Sequence, residues 1–374
     1  MRLAFALALL FLSPLAAPVR AQVTVPGDYA DPQQALDAVL PGTTVVIEGG
    51  TWPPLVIRKA VTLVGDPAPT FGPQIEVFPG IRLEGPGSGE VVLANVRVEG
   101  PVTFEGGRAG AGIAGDGFDQ LLVLESHVAA AEIPNFDGLG YGGPGIDVDV
   151  PLVWIERSHV QGSTTDIDDT PITWAPAAEP ALRATGEVVV LDSTLRGGAN
   201  GAYRWGDETT GCPSGCPAGS GGAAVVAPSL SWSNAVFQSG KGATWTSFFP
   251  TAGACCEVAP PPPLAVGVER QMPALLWPAS SPSLGETFTL QWRTPGSGPA
   301  WLFVSATLAA PLETRFGTWF LGSAADVASY AVPPFGSRSV TVPLDAALVG
   351  RALGFQVFEP SVGLTRPVVA VARP

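Results

Sequence analysis

"IERSHVQG" fills residues 155–162, and "VLESHVAA" fills 123–130. The same pattern recurs as "LANVRVEG" at 93–100 and "VLDSTLRG" at 190–197, and more loosely as "SWSNAVFQ" at 231–238. Each copy opens on apolar residues, turns polar in the middle and carries an aliphatic residue in sixth place. The aligned aliphatics are Val98, Val128, Val160, Leu195 and Val236, spaced by 30, 32, 35 and 41 residues. A varying period of this size, built from short strand-like runs, marks a solenoid. Helical repeats of similar length need apolar residues at helical spacing, and Gly or Pro interrupts every candidate segment here.

In a β-solenoid each strand pairs with its counterpart one coil away. That accounts for "TTVVIEGGTWPPLVIRKAVTLVGD", residues 43–66, which holds three short apolar runs and no two-residue hairpin turn. Val98, Val128, Val160 and Leu195 are therefore expected in one interior file. Upstream, "DPQQALDAVLPG" at 31–42 reads as a short helix. Asp31 is its N-cap, Pro32 its first residue, and Ala35, Leu36, Val39 and Leu40 its apolar face. Such a helix can close the open end of a coil stack.

The opening "VTVPGDYADPQQALDAVLPGTTVVIEGGTW", followed by "KAVTLVGD", resembles the start of secreted right-handed parallel β-helix proteins, the pectate-lyase-like superfamily. The resemblance covers about residues 22–250. It implies an all-β fold: a right-handed parallel β-helix with an N-terminal capping helix. It does not imply one activity, because lyases, hydrolases, esterases and non-enzymes share this opening.

"MRLAFALALLFLSPLAAPVRAQ" reads as a secretory signal peptide, residues 1–21, which places the protein outside the cell or in its envelope. No later run is long enough to span a membrane as a helix. The formal charge is −14 with only two lysines, Lys59 and Lys241, which argues against nucleic acid as a partner. Cys212, Cys216, Cys255 and Cys256 are expected in disulfides rather than a zinc site, because vicinal Cys255 and Cys256 lack normal ligand spacing. Three pairings remain possible.

The β-helix domain is expected over 22–256. "EVAPPPPLAV" supplies a semi-rigid proline linker, assigned to 257–265. From 266 to 374, alternating runs such as "ETFTLQW" and "LGFQVFE" suggest a small antiparallel β-sandwich. Modules of that kind in secreted bacterial proteins serve as spacers, sorting elements or binding units.

Extra length falls after the same strand of each repeat: 131–144, 163–180, 198–222 and 240–257. Such insertions line one edge of a solenoid. They carry Phe136, Tyr141, Trp174, Tyr203, Trp205 and Trp245 beside Asp137, Asp166, Asp168, Asp169, Asp207 and Glu208. Aromatic faces stack on sugar rings and carboxylates accept sugar hydroxyls, and the candidate ligand-binding set is Tyr141, Trp174, Tyr203, Trp205, Asp166 and Asp207. The catalytic candidates are Asp168, Asp169 and Arg183. Asp147, Asp149, Asp166 and Asp168 could hold Ca²⁺, the one cofactor this reading would need. Neither His127 nor His159 sits in the Gly-His-Gly setting that the related hydrolases imply. Against catalysis stands "GIDVDV", where alternation turns Asp147 and Asp149 outward, while the coil alignment sets Arg183 one coil beyond Asp147, where it can simply neutralise it.

His127 and His159 share one repeat place, with Arg97 before and Thr194 after, as a titrating or anion-binding strip or a plain exposed ladder. Glu125, Arg157 and Asp192 form a second column that reads as surface salt pairing. The leading expectation is non-catalytic binding of a polysaccharide or cell-surface component, or a structural role. The alternative is a Ca²⁺-dependent lyase or glycoside hydrolase acting on acidic polysaccharide.

Overall fold

The computed structural model describes residues 22–71, 79–101, 110–131, 142–164, 171–172, 178–200, 202–205, 220–242, 244–246 and 254–271, and most strand segments between 276 and 373. The expected signal segment, residues 1–21, lies outside them. The described chain is nearly all β, with long parallel sheets, one helix and smaller antiparallel sheets.

Three ladders of parallel strands dominate. Ladder one stacks Gln22–Val25, Thr44–Glu48, Val61–Asp66, Glu90–Ala94, Gln120–Leu124, Leu152–Glu156 and Glu187–Leu191. Ladder two stacks Leu55–Ile57, Ile81–Glu84, Ile113–Asp116, Ile146–Asp149 and Leu182–Ala184. Ladder three runs from Thr51–Trp52 through Arg97–Glu99, His127–Ala129, His159–Gln161 and Thr194–Arg196 to Val236–Gln238. Ladders one and two merge at Val225–Ser233, whose first residues pair with Leu182–Ala184 and whose last pair with Glu187–Leu191. Each rung between the ends of a ladder thus pairs with rungs before and after it in sequence, an arrangement compatible with a β-helix solenoid.

Val98, Val128, Val160 and Leu195 stand in one register file and are fully buried. The fifth copy is displaced by one residue: Leu195 pairs with Phe237, and Val236 is 48% exposed. The corner explains the slip. Asn95, Glu125, Arg157, Asp192 and Asn234 all have positive φ, near 50°, and turn the chain from ladder one into ladder three. Aligned on that left-handed residue, Phe237 takes the interior place.

The next repeat place holds Ser126, Ser158 and Ser193, all buried. Each hydroxyl accepts a backbone N–H from the rung before: Val96 at 3.1 Å, Ser126 at 3.0 Å and Ser158 at 3.0 Å. Each donates to the carbonyl two residues earlier, those of Leu124, Glu156 and Leu191. A two-residue corner leaves backbone groups that a regular ladder would pair, and the serine column satisfies them.

The helix spans Pro32–Ala38, with Asp31 accepting from the Gln34 N–H at 2.9 Å. Ala35, Leu36 and Val39 are buried against the first rungs, but Leu40 is 75% exposed, because the helix stops before the turn that would carry Leu40 inward.

Beyond the proline run, Leu264–Gln271 is a parallel strand on Val225–Ser233, crossing the 265/266 boundary expected from sequence. The remaining strands are antiparallel. Thr287–Arg293 and its neighbours share a core with Ala300–Ser305, Ala352–Glu359 and Val368–Val371, centred on Leu290, Leu302, Phe355 and Val357.

This module is not held at a distance. The outward residues of ladder one, among them Val64, Val92, Leu122, Trp154, Val189 and Leu191, form one buried cluster with Phe320, Leu321, Val369 and Val371. Trp154 and Phe320 meet edge to face, centroids 5.6 Å apart. Gly350, at φ +74°, brings the backbone so close to Thr44 and Thr62 that a Cβ there would sit 2.5 Å from the Thr44 side chain. The Thr44 hydroxyl donates to the Val349 carbonyl at 3.1 Å.

Candidate functional site

The expected surface pairing of Glu125 with Arg157 turns out half-internal. Arg157 Nε lies 3.0 Å from Glu125, with the two side chains only 16% and 18% exposed. Arg157 also pairs with Glu156, which is 1% exposed. Burial pulls the Arg157 pKa down, but Glu156 and Glu125 more than offset it and hold it above the ordinary value. Arg157 Nη2 also donates to the Val369 carbonyl of the C-terminal module at 3.0 Å, a contact that no local pattern announced.

On ladder two, alternation turns Asp147 and Asp149 outward as expected. Asp147 faces Arg183 across one rung, with Arg183 Nη1 at 3.3 Å, and the same guanidinium also pairs with Glu179. Asp149 accepts a hydrogen bond from the Thr185 hydroxyl. Among the described residues, no group of three or more His, Cys, Asp or Glu side chains is placed to hold a metal ion. Asp147 and Asp149 do not fit a Ca²⁺ centre by themselves, since a cation competes at Asp147 with a guanidinium already in place. Asp166, Asp168 and Asp169 lie outside the described residues, as do Tyr141, Trp174 and Asp207.

The insertions meet one another. Pro171–Ile172, Ala202–Trp205 and Thr244–Thr246 are parallel strands of one small sheet, and Ala254–Glu257 adds an antiparallel fourth. Backbone register sets Ile172 beside Trp205, and Tyr203 beside Trp245. Cys255 and Cys256 stand in the fourth strand, while Cys212 and Cys216 lie outside the described residues. Sequence reasoning anticipated a continuous edge. It missed that the loops form their own strands, because runs of two to four residues carry too little periodicity to read.

On ladder three the two histidines are register partners, with Arg97 one rung before and Thr194 one rung after. Their rings stack with centroids 5.0 Å apart and planes 14° from parallel. Burial, then His159, then Arg97 lower the His127 pKa, against a smaller raising effect from Glu99.

No protein-family profile matches this chain, and no curated protein matches it in sequence. Among the described residues no helix is long and apolar enough to cross a membrane.

Proposed function

We propose that this chain is a secreted or envelope-associated right-handed parallel β-helix protein of the pectate-lyase-like kind, with a small β-sandwich docked on one face. Residues 1–21 direct its export. It binds polysaccharide or a cell-surface component without cleaving it. One observation carries this reading: successive insertions from one edge join into a single sheet whose backbone aligns Tyr203 with Trp245 and Ile172 with Trp205. Two aromatic residues at rung spacing, about 4.8 Å, with Trp205 two residues along the strand from Tyr203, suit the repeating rings of an extended glycan.

The Ca²⁺-dependent lyase or hydrolase alternative draws less support. It needs an open carboxylate set, and Arg183 already engages Asp147.

Affinity electrophoresis through a panel of glycans tests the proposal. Retardation of the intact chain is expected with no reducing or unsaturated ends released. Tyr203→Ala and Trp245→Ala should each weaken retention about three- to tenfold. Release of products that stops on Asp168→Ala would favour the enzyme instead.

A further inference from the structure

Cleavage after Ala21 makes Gln22 the first residue of the exported chain, and Gln22 also opens the first rung, Gln22–Val25. Among the described residues that rung pairs only with Thr44–Glu48, so its other side is a free edge. On this edge the Thr24 nitrogen donates to the Asp28 carboxylate at 2.8 Å, and the Thr24 carbonyl accepts from the Asp28 nitrogen at 2.9 Å. In a parallel ladder both backbone groups of a residue point to one side, and the side alternates from residue to residue. The Gln22 nitrogen, two residues before Thr24, therefore also points to the free edge and carries no ladder bond. The Gln22 side-chain oxygen, Oε1, is buried and has no hydrogen-bond partner among the described residues.

We infer that the exported chain carries a pyroglutamate at position 22. The α-amine nitrogen attacks Cδ of its own side chain. The N–Cδ bond forms, the Cδ–Nε2 bond breaks, and Nε2 leaves as ammonia with a proton from the amine. Nothing is oxidised or reduced, and no co-reactant is consumed. Closing the lactam requires that neither partner be held elsewhere. Here the nitrogen lies off the ladder, and the side-chain oxygen gives up no hydrogen bond when Cδ turns back toward it. Terminal residues open without unfolding the elements behind them, so the two groups can meet. The inference rests on the export reading and its cleavage after Ala21, and is independent of what the protein binds.

The ring has a use at this place in the fold. A free terminus sets an ammonium at a half-buried position, where desolvation opposes charge. The lactam is neutral and keeps an N–H on the free edge. It also removes the ammonium by which aminopeptidases hold a substrate. Val25 is fully buried, and Val23 packs on the same core beside Val45 and Ile47 of the next rung. Trimming of Gln22 and Val23 outside the cell would open that end of the core.

Mass spectrometry of the full chain, freshly recovered from an exporting host, tests this. The N-terminal peptide is expected to begin at position 22 and to be lighter by one ammonia than its sequence requires. Stepwise N-terminal sequencing should yield nothing until a pyroglutamyl peptidase removes the ring, and should then read from Val23. The Gln22→Ala variant has no amide to close. It should read directly from position 22, and should lose its first residues to an aminopeptidase that leaves the unchanged chain whole. A chain that begins at Gln22 with a free amine overturns the ring and leaves export standing. A chain that retains residues 1–21, or begins elsewhere, overturns the cleavage and the ring together, whatever glycan it binds. A Gln22→Ala chain that is still blocked assigns the block to another modification and also overturns the ring.

Discussion

Glu156 Oε2 lies 3.1 Å from the backbone nitrogen of Val369, 213 residues later in the chain. Arg157 Nη2 lies 3.0 Å from the Val369 carbonyl oxygen. Two successive side chains at one corner thus take both backbone polar groups of a single residue, as a neighbouring strand would. Trp154 Nε1 donates to the same Glu156 carboxylate at 3.1 Å. A buried ion pair is weak evidence for net stability, because desolvation opposes the attraction. Its directed hydrogen bonds nevertheless specify where the module docks.

Glu156→Ala should therefore be far worse than Glu156→Gln. Alanine takes one of two paired carboxylates from a largely buried guanidinium and orphans the Val369 N–H, at a cost of about 3–5 kcal/mol. Glutamine keeps an acceptor and should lose appreciably less. Urea unfolding followed by tryptophan fluorescence measures the difference, and equal losses would refute the clamp.

Trp154→Ala should cost about 3–5 kcal/mol, because it opens a void between ladder one and Phe320. Phe320→Ala should cost less after Trp154 has gone than before. A double-mutant cycle should return a coupling of about 0.5–1.5 kcal/mol, and strict additivity would mean that the rings do not act together.

Ser158→Ala strips an acceptor from the Ser126 N–H inside a buried corner. The expected loss is about 1–3 kcal/mol, although the change removes only one oxygen. The amide of Ser126 should exchange hydrogen faster as a result, while amides in distant rungs keep their protection.

His127 carries a lowered pKa in the folded chain, so the unfolded chain binds its proton more readily. Stability is then full above the ordinary histidine range and falls as pH drops through about 6.5. The half-exposed ring keeps the effect small, under about 2 °C in Tm. His127→Gln should flatten that part of the Tm–pH curve, and an unchanged slope would assign it to other groups.

The interior file was legible in the sequence because stacked rungs each place one aliphatic residue at the same step, and Val98, Val128, Val160 and Leu195 sit there. The displaced fifth copy was not, because Val236 and Phe237 are both apolar and only the backbone at Asn234 separates them. Asp147 facing Arg183 followed from the coil alignment together with strand alternation. The placement of Tyr203 beside Trp245 did not, since insertion lengths differ and leave no common period.

Runs such as "QLLVL" at 120–124 and "EVVVL" at 187–191 are buried on both faces of ladder one, whereas the sequence reading placed only the inner face. What covers the outer face was decided by tertiary structure. Periodicity reports which side of a strand is buried, because that depends on neighbours one rung away. It carries no information about Phe320 or Val369, which arrive from a separate module with its own period. The rung-to-rung pairing was thus written locally, and the docked face, with the buried Glu156 and Arg157 inside it, was set only when the distant segment packed.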